Sequence, residues 1–180
     1  GLNASTGTIS CTPTASVSGT PLQIRVTDSA PTPVTATKDF SLTINNPVPT
    51  ISTISPPGKT VGDGAFTLTV TGSGYVTSSK VRFNGSDRAT TYVSATQLTA
   101  AITANDVAVA GSYAITVFNP TPGGGTSNSV NLIVSPSGLV ITTTTPLPTG
   151  TVGVAYSATL AASGGTAPYT WSLVSGVWPA

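Results

Sequence analysis

The residues able to do acid–base, nucleophilic or metal chemistry are few in this 180-residue chain. It has five acids, all Asp, six Lys or Arg, one Cys and no His or Glu. Ser–His–Asp and Cys–His sets, Cys/His zinc sites and paired glutamates therefore all lack members. An aspartate pair remains formally open, but Asp28, Asp39, Asp63, Asp87 and Asp106 fall one to each turn or strand edge. Such spacing is that of turn formers rather than of a dyad. Calcium needs several oxygens close together, and VGDG around Asp63 and NGSD around Asp87 each offer one carboxylate. GSGYV, PGGGTSN and SGGTAP are Gly-rich but lack the Lys-Ser/Thr of a phosphate loop and precede no helix. The reading is a protein with no catalytic, metal or cofactor site. Cys11 is alone and forms no intrachain disulfide; it is either an isolated thiol or one half of an intermolecular bridge.

Other residues point to contacts. Trp171 and Trp178 could stack on sugars, but the run Tyr169-Trp171-Leu173 makes Trp171 a core aromatic. Asn3-Ala4-Ser5 and Asn84-Gly85-Ser86 fit the N-glycosylation sequon, which counts if the host modifies it. An autocatalytic Lys–Asn crosslink needs a Lys, an Asn and an acid buried together, whereas Lys38 and Lys80 are expected on outward polar faces.

Composition sets the surface. Charged residues make up 6%, against about 25% in ordinary domains. Ser, Thr, Gly, Pro and Asn fill their place. A net charge of +1 is too weak to attract phosphate backbones, which excludes nucleic acid. A nearly neutral, hydroxyl-rich surface also tolerates packing against copies of itself. No stretch approaches the roughly 20 apolar residues of a membrane helix. A chain starting at Gly1 without any Met reads as a processed, excised or partial piece of something longer.

The elements that carry these residues are strands. From about Asn46 to Ser135, short runs of alternating apolar and polar residues are separated by Gly, Pro, Asn or Asp. About seven strands at this spacing make a small β-sandwich. The inward set is Phe66, Leu68 and Val70; Val81 and Phe83; Leu98 and Ile102; Tyr113, Ile115 and Val117; and Val130, Leu132 and Val134. NGSD at 84–87 predicts a tight hairpin turn, PGGG at 122–125 a flexible loop, and TANDVAVAG a helical turn or a loop. Before it, LQIRVTDS and ATKDFSLTI predict two antiparallel strands joined across the Asp28–Pro33 loop, with Leu22, Ile24, Val26, Phe40, Leu42 and Ile44 on one face. NNPVPT forms a short, stiff linker. After it, residues 136–180 predict three more strands, among them Tyr156-Ala158-Leu160 and Tyr169-Trp171-Leu173.

The middle segment resembles the bacterial IPT/TIG family of immunoglobulin-like domains. The resemblance is carried by PTISTISPPGKTVGDGAFTLTVTGSGY, VRFNGSDRATTYVSATQLTAAI and YAITVFNPTPGGGTSNSVNLIV. The two ends resemble halves of another module, the He_PIG-like immunoglobulin repeat of bacterial surface proteins. PYTWSL (168–173) and WPA (178–180) lie at one end; GLNASTGTISCTPT (1–14), VTDS (26–29) and ATKDFSLTI (36–44) lie at the other. Placing Ala180 before Gly1 reproduces that family's order, except that Cys11 stands where it usually has Gly and the turn is short.

The resemblance implies an all-β chain of immunoglobulin-like sandwiches. Residues 1–45 would be the C-terminal half of one domain, 46–135 a complete domain, and 136–180 the N-terminal half of another. Two halves of about 45 residues make the roughly 90–100 that one sandwich requires. The short linkers at 45–50 and 135–139 argue against the halves meeting within one chain. Head-to-tail completion by neighbouring copies, covalent in a tandem array or by strand complementation between subunits, is the expectation. The junction residues would be Trp171, Trp178, Pro179, Ala180, Gly1 and Leu2. The implied function is the structural repeat unit of an extracellular fibre, filament or cell-surface stalk, with itself as partner. The alternative is an adhesin or carbohydrate-binding module holding surface glycans, and a third reading is an accessory domain of a larger secreted enzyme.

Overall fold

The computed structural model describes residues 1–177. Three regions follow one another: an N-terminal hairpin, a sandwich and a C-terminal segment of two short strands. The hairpin joins β1 (Val17–Thr27) to β2 (Thr35–Ile44) in antiparallel register. Its turn is fixed by Asp28, whose carboxylate accepts the Val34 N–H at 2.8 Å while the Asp28 N–H donates to the Val34 carbonyl at 3.0 Å. From Thr20 to Thr27 the pairing runs without a break.

The sandwich has two sheets. One orders β3 (Thr50–Ser55), β5 (Phe66–Ser73), β9 (Gln97–Ile102) and β8 (Thr90–Ser94) as β3-β5-β9-β8. The other orders β4 (Gly58–Thr60), β12 (Val130–Ser135), β10 (Gly111–Asn119), β6 (Lys80–Phe83) and β7 (Ser86–Asp87) as β4-β12-β10-β6-β7, with β11 (Gly125–Thr126) against β10. All ladders are antiparallel except β4, which runs parallel to β12. Strict alternation in β5, β6, β9, β10 and β12 sends one face of each sheet inward. Leu68, Val70, Leu98 and Ile102 meet Val81, Ile115, Val117 and Leu132 in a sealed core, with Phe66, Tyr113 and Val130 packed at its margin. Every residue of the predicted inward set lies in or against this core, which also takes in Ile51, Ile54, Tyr75, Ala100 and Val107.

The NGSD segment turns β6 into β7 with Asn84 and Gly85 both at positive φ (48° and 85°), the backbone a two-residue hairpin favours. TANDVAVAG is a helical turn: Ala104–Val107 forms one 3₁₀ turn capped reciprocally by Thr103 and Asp106, and it buries Val107. The PGGG loop differs from expectation. It is pinned, because the Asn46 N–H donates to the Pro122 carbonyl and the Gly124 N–H to the Asn46 carbonyl, both at 2.8 Å. A Cβ on Gly123 would stand 2.7 Å from the Asn46 carbonyl oxygen, so the glycine allows this approach.

Two further expectations are corrected. Lys38 lies opposite Ile24, two residues from Phe40, and so on the apolar face of the hairpin rather than the polar one; Lys80 is outward as predicted. Residues 136–177 form only β13 (Val140–Ile141) and β14 (Ala162–Ser163), paired with each other. The runs 156–160 and 169–173 join no ladder among the described residues. A two-stranded ribbon with no third strand beside it offers them no backbone partner. Trp171 accordingly stays 43% exposed instead of buried in a core.

Tyr75 is the one buried side chain with an unpartnered polar atom among the described residues. Its ring fills the core next to Gly72, where an added Cβ would collide with both the Thr50 carbonyl and the Tyr75 hydroxyl. Burial pushes the phenol up to about 12 from its ordinary 10.0. An unfolded chain therefore releases this proton first, and stability falls as pH rises from 10 towards 12. Tyr75→Phe should leave stability at neutral pH unchanged or raised by up to about 1 kcal/mol. Denaturant melts at pH 9 and pH 11.5 should show a smaller alkaline loss in the variant than in the parent.

Candidate functional site

Acid–base or metal chemistry would have to begin at the aspartates, and each of these is spent on local structure. Asp63 accepts the Thr60 N–H at 3.0 Å and pairs with Lys59 at 3.0 Å, and these two donors hold its carboxyl below the usual range. Asp87 accepts Arg82 Nε at 2.7 Å beside the hairpin turn. Asp39 accepts Gln23 Nε2 at 2.9 Å across the outer face of β1–β2. Asp106 does most. Arg88 meets both of its oxygens, Nε at 3.0 Å and Nη2 at 2.5 Å, while the Thr103 N–H and hydroxyl each donate at 2.9 Å. Burial pushes the Asp106 carboxyl up, but Arg88 and Thr103 together outweigh it and hold it below the ordinary carboxylate range. No group of three metal-ligating side chains occurs among the described residues. Two clefts, of about 390 Å³ beside Val61, Val109 and Ala167 and about 300 Å³ beside Asn46, Tyr75 and Tyr92, contain no acid or cation.

Asparagine side chains tie the linker to the sandwich, Asn46 and Asn119 buried and Asn128 exposed. Asn119, fully buried at the end of β10, donates through Nδ2 to the Pro47 carbonyl at 2.9 Å and the Gly74 carbonyl at 2.7 Å. Its Oδ1 accepts the Ser79 hydroxyl. Asn46 donates through Nδ2 to the Pro120 carbonyl at 2.7 Å. Asn128 reads Ile51 like a strand partner, accepting its N–H at 2.9 Å and donating to its carbonyl at 3.0 Å. Residues 46–51 are therefore stitched into the domain that follows them. Sequence reasoning missed this network. The signal was present for Asn119, which shares the inward parity of Tyr113, Ile115 and Val117.

What is left exposed is apolar and lies outside the sandwich. On the hairpin, Leu22 pairs with Phe40, Ile24 with Lys38 and Val26 with Ala36 along one face. Phe40 is 48% and Val26 67% exposed, whereas Gln23, Arg25, Thr37 and Asp39 line the other face. In residues 136–177, Val140, Ile141, Val154, Tyr156, Trp171 and Leu173 are exposed. Tyr169 is the tethered member of that set, its hydroxyl donating to the Gly164 carbonyl at 2.6 Å. An apolar set of this extent is unusual on a monomer and marks contact surfaces.

Of the predicted junction residues, Gly1 and Leu2 lie in a small exposed turn closed by the Leu2–Ile9 bridge. Trp178, Pro179 and Ala180 lie outside the described residues. Of the two sequons, Asn3 has its carboxamide oxygen engaged by the Ser5 and Thr6 N–H groups at 3.0 and 3.1 Å. Asn84 stands exposed on its turn.

Residues 49–134 match the family model of the IPT/TIG domain. That family is a non-catalytic, immunoglobulin-like fold of surface and extracellular proteins that mediates protein interactions. A search of curated proteins returns no match to the chain. No helix among the described residues is long and apolar enough to cross a membrane.

Two outcomes are expected. Asn119→Ala should destabilise the sandwich by about 2–4 kcal/mol, since it strands two carbonyls and a hydroxyl at a buried site, and chemical denaturation reads this directly. Asp106 favours folding through a lowered proton affinity, so that contribution is present above its unfolded value of 3.8 and is lost as pH falls below it. Melts from pH 5 to pH 2 should show a shallower acid loss in Asp106→Asn than in the parent.

Proposed function

We propose that the chain is a structural repeat unit of an extracellular fibre or cell-surface stalk, in which each copy completes an immunoglobulin-like domain with the next. The observation that carries this reading is the pairing of two unfinished pieces around one finished sandwich. Among the described residues, strands β1 and β2 pair only with each other, as do β13 and β14. Each piece exposes an apolar set that the other could cover. Residues 1–45 would supply the C-terminal half of the shared domain and 136–180 the N-terminal half.

Edge chemistry supports the same reading. In the sandwich, both edge strands of the four-stranded sheet are broken by irregular register, β3 at Ile51/Thr53 and β8 at Tyr92/Ser94. Such bulges blunt an edge against further pairing. The hairpin strands are long, 11 and 10 residues, and regular from Thr20 to Thr27. Unpaired edges of that kind template strand addition. A heterologous contact repeated from copy to copy gives an open array rather than a closed ring. The mechanism is then mechanical: ladders resist extension, the asparagine-stitched linker fixes the angle between domains, and the weakly charged Ser/Thr surface permits lateral packing.

A second reading, as a glycan-binding module, draws on the exposure of Tyr156 and Trp171, whose rings could stack on sugars. Affinity electrophoresis in polysaccharide gels would detect it as retardation that Trp171→Ala abolishes.

For the fibre reading, sedimentation of the full chain should show mass rising with concentration, and electron micrographs should show an axial repeat near two sandwich lengths, roughly 70–90 Å. Trp171→Ala should weaken assembly by about 2–4 kcal/mol per joint, the range for an aromatic that anchors an interface as a hot spot. A compact monomer at all concentrations, with both ends folded together, would sink the proposal.

A further inference from the structure

The apolar face of the β1–β2 hairpin carries one charged side chain. Lys38 stands opposite Ile24 and beside the Leu22–Phe40 pair, with its Nζ 5.7 Å from the centre of the Phe40 ring. The side chain is exposed, and no acid shares its face: Asp39 points to the opposite side, where Gln23 holds it. Every other position on that face from Thr20 to Val26 and from Ala36 to Ile44 is uncharged.

We infer that Lys38 determines which surface can cover this face: it forbids two hairpins from closing on each other and admits the C-terminal segment of a second copy. The inference rests on the joint proposed above. Its basis is charge. In a two-fold pairing of hairpins, the face of each copy covers the face of the other. Stacked sheets lie about 10 Å apart, so both Lys38 ammoniums would enter one apolar interface with no carboxylate to meet them. Burying unpaired like charges is costly, and natural edges use inward-pointing charges for this purpose.

The C-terminal segment presents no such conflict. No charged residue follows Asp106 anywhere in the chain. Residues 136–177 therefore bring no second charge to the joint. They do bring exposed ring faces, Tyr156 and Trp171, that attract a cation. One ammonium on a four-carbon stem can reach the rim of such a joint while its methylenes lie on the apolar face. The same residue thus opposes closed dimers and tolerates head-to-tail addition.

The test is sedimentation equilibrium of the full chain, comparing the parent with Lys38→Met and Lys38→Glu across a range of concentrations. For the parent, mass should climb past the dimer. For Lys38→Met, the dimer fraction at matched concentration should rise at least about tenfold, as expected when a repulsive element is removed, and mass should plateau at two copies. Lys38→Glu keeps like charges on the two faces and should not dimerise alone, but mixed with the parent it should form dimers. Growth of Lys38→Met identical to the parent, with no dimer plateau, overturns the inference, as does dimerisation of Lys38→Glu by itself. A parent that stays monomeric while Lys38→Met dimerises overturns the head-to-tail joint and leaves the role of Lys38 standing. Monomers throughout overturn both.

Discussion

A sheet face is stable only when a second layer covers it, and this requirement governs each part of the molecule differently. In residues 46–135 it is met internally. The inward residues of β5 and β9 close on those of β6, β10 and β12, and the largest of them are sealed from solvent. At roughly 25 cal/mol per Å² of apolar surface removed from water, that contact is the main favourable term in the fold. The hairpin obeys the same alternation and has the same kind of residues on one face, yet only Val17, Leu22, Ile24, Leu42 and Ile44 reach even partial burial there. The difference is the missing layer, not the strand chemistry.

The sandwich also fixes how its neighbours attach. Proline alone would stiffen the linker by restricting φ at Pro47 and Pro49. The structure goes further, because Pro49 is fully buried, Asn119 bonds the Pro47 carbonyl, and Asn46 reaches across to the Pro120 carbonyl. Pro has no N–H to place in a ladder, and its carbonyl still needs a donor. Asn suits this position because its amide supplies two donors and its oxygen an acceptor, and Asn119 uses all three functions. The linker is therefore built into the sandwich rather than a tether to it. Its direction is set by the same hydrogen bonds that keep the core's polar rim satisfied.

Much of this is legible in the sequence, and the rest is hidden for identifiable reasons. Period-two alternation reveals the core of the sandwich because each inward residue there has a single function, burial. The Asn84-Gly85 turn follows from backbone preference alone. The PGGG loop escapes such reading because a run of glycines suggests freedom, whereas Gly123 is needed for the close approach of Asn46. Lys38 escapes it through residue type: counting two back from Phe40 places it on the apolar face, but a lysine suggests solvent. The runs ending in Leu160 and Leu173 show the limit of periodicity. Their alternation specifies a face, but a strand also needs a backbone neighbour, and no local pattern says whether that neighbour lies in the same chain.

The distribution of charge connects these observations. All eleven charged residues lie between Arg25 and Asp106. Three ion pairs, Lys59–Asp63, Arg82–Asp87 and Arg88–Asp106, brace turns of the sandwich, and Asp28 and Asp39 serve the hairpin. Charge is thus used where a loop must be held, and is withheld from the C-terminal segment entirely. A strand that must leave water and enter a partner's layer benefits from that absence, because any charge it carried would have to be desolvated at the joint. A neutral segment has a cost of its own: nothing in it opposes association with the wrong surface. On the proposed reading, selectivity must then come from the receiving face, and Lys38 is the one residue there with the charge to provide it.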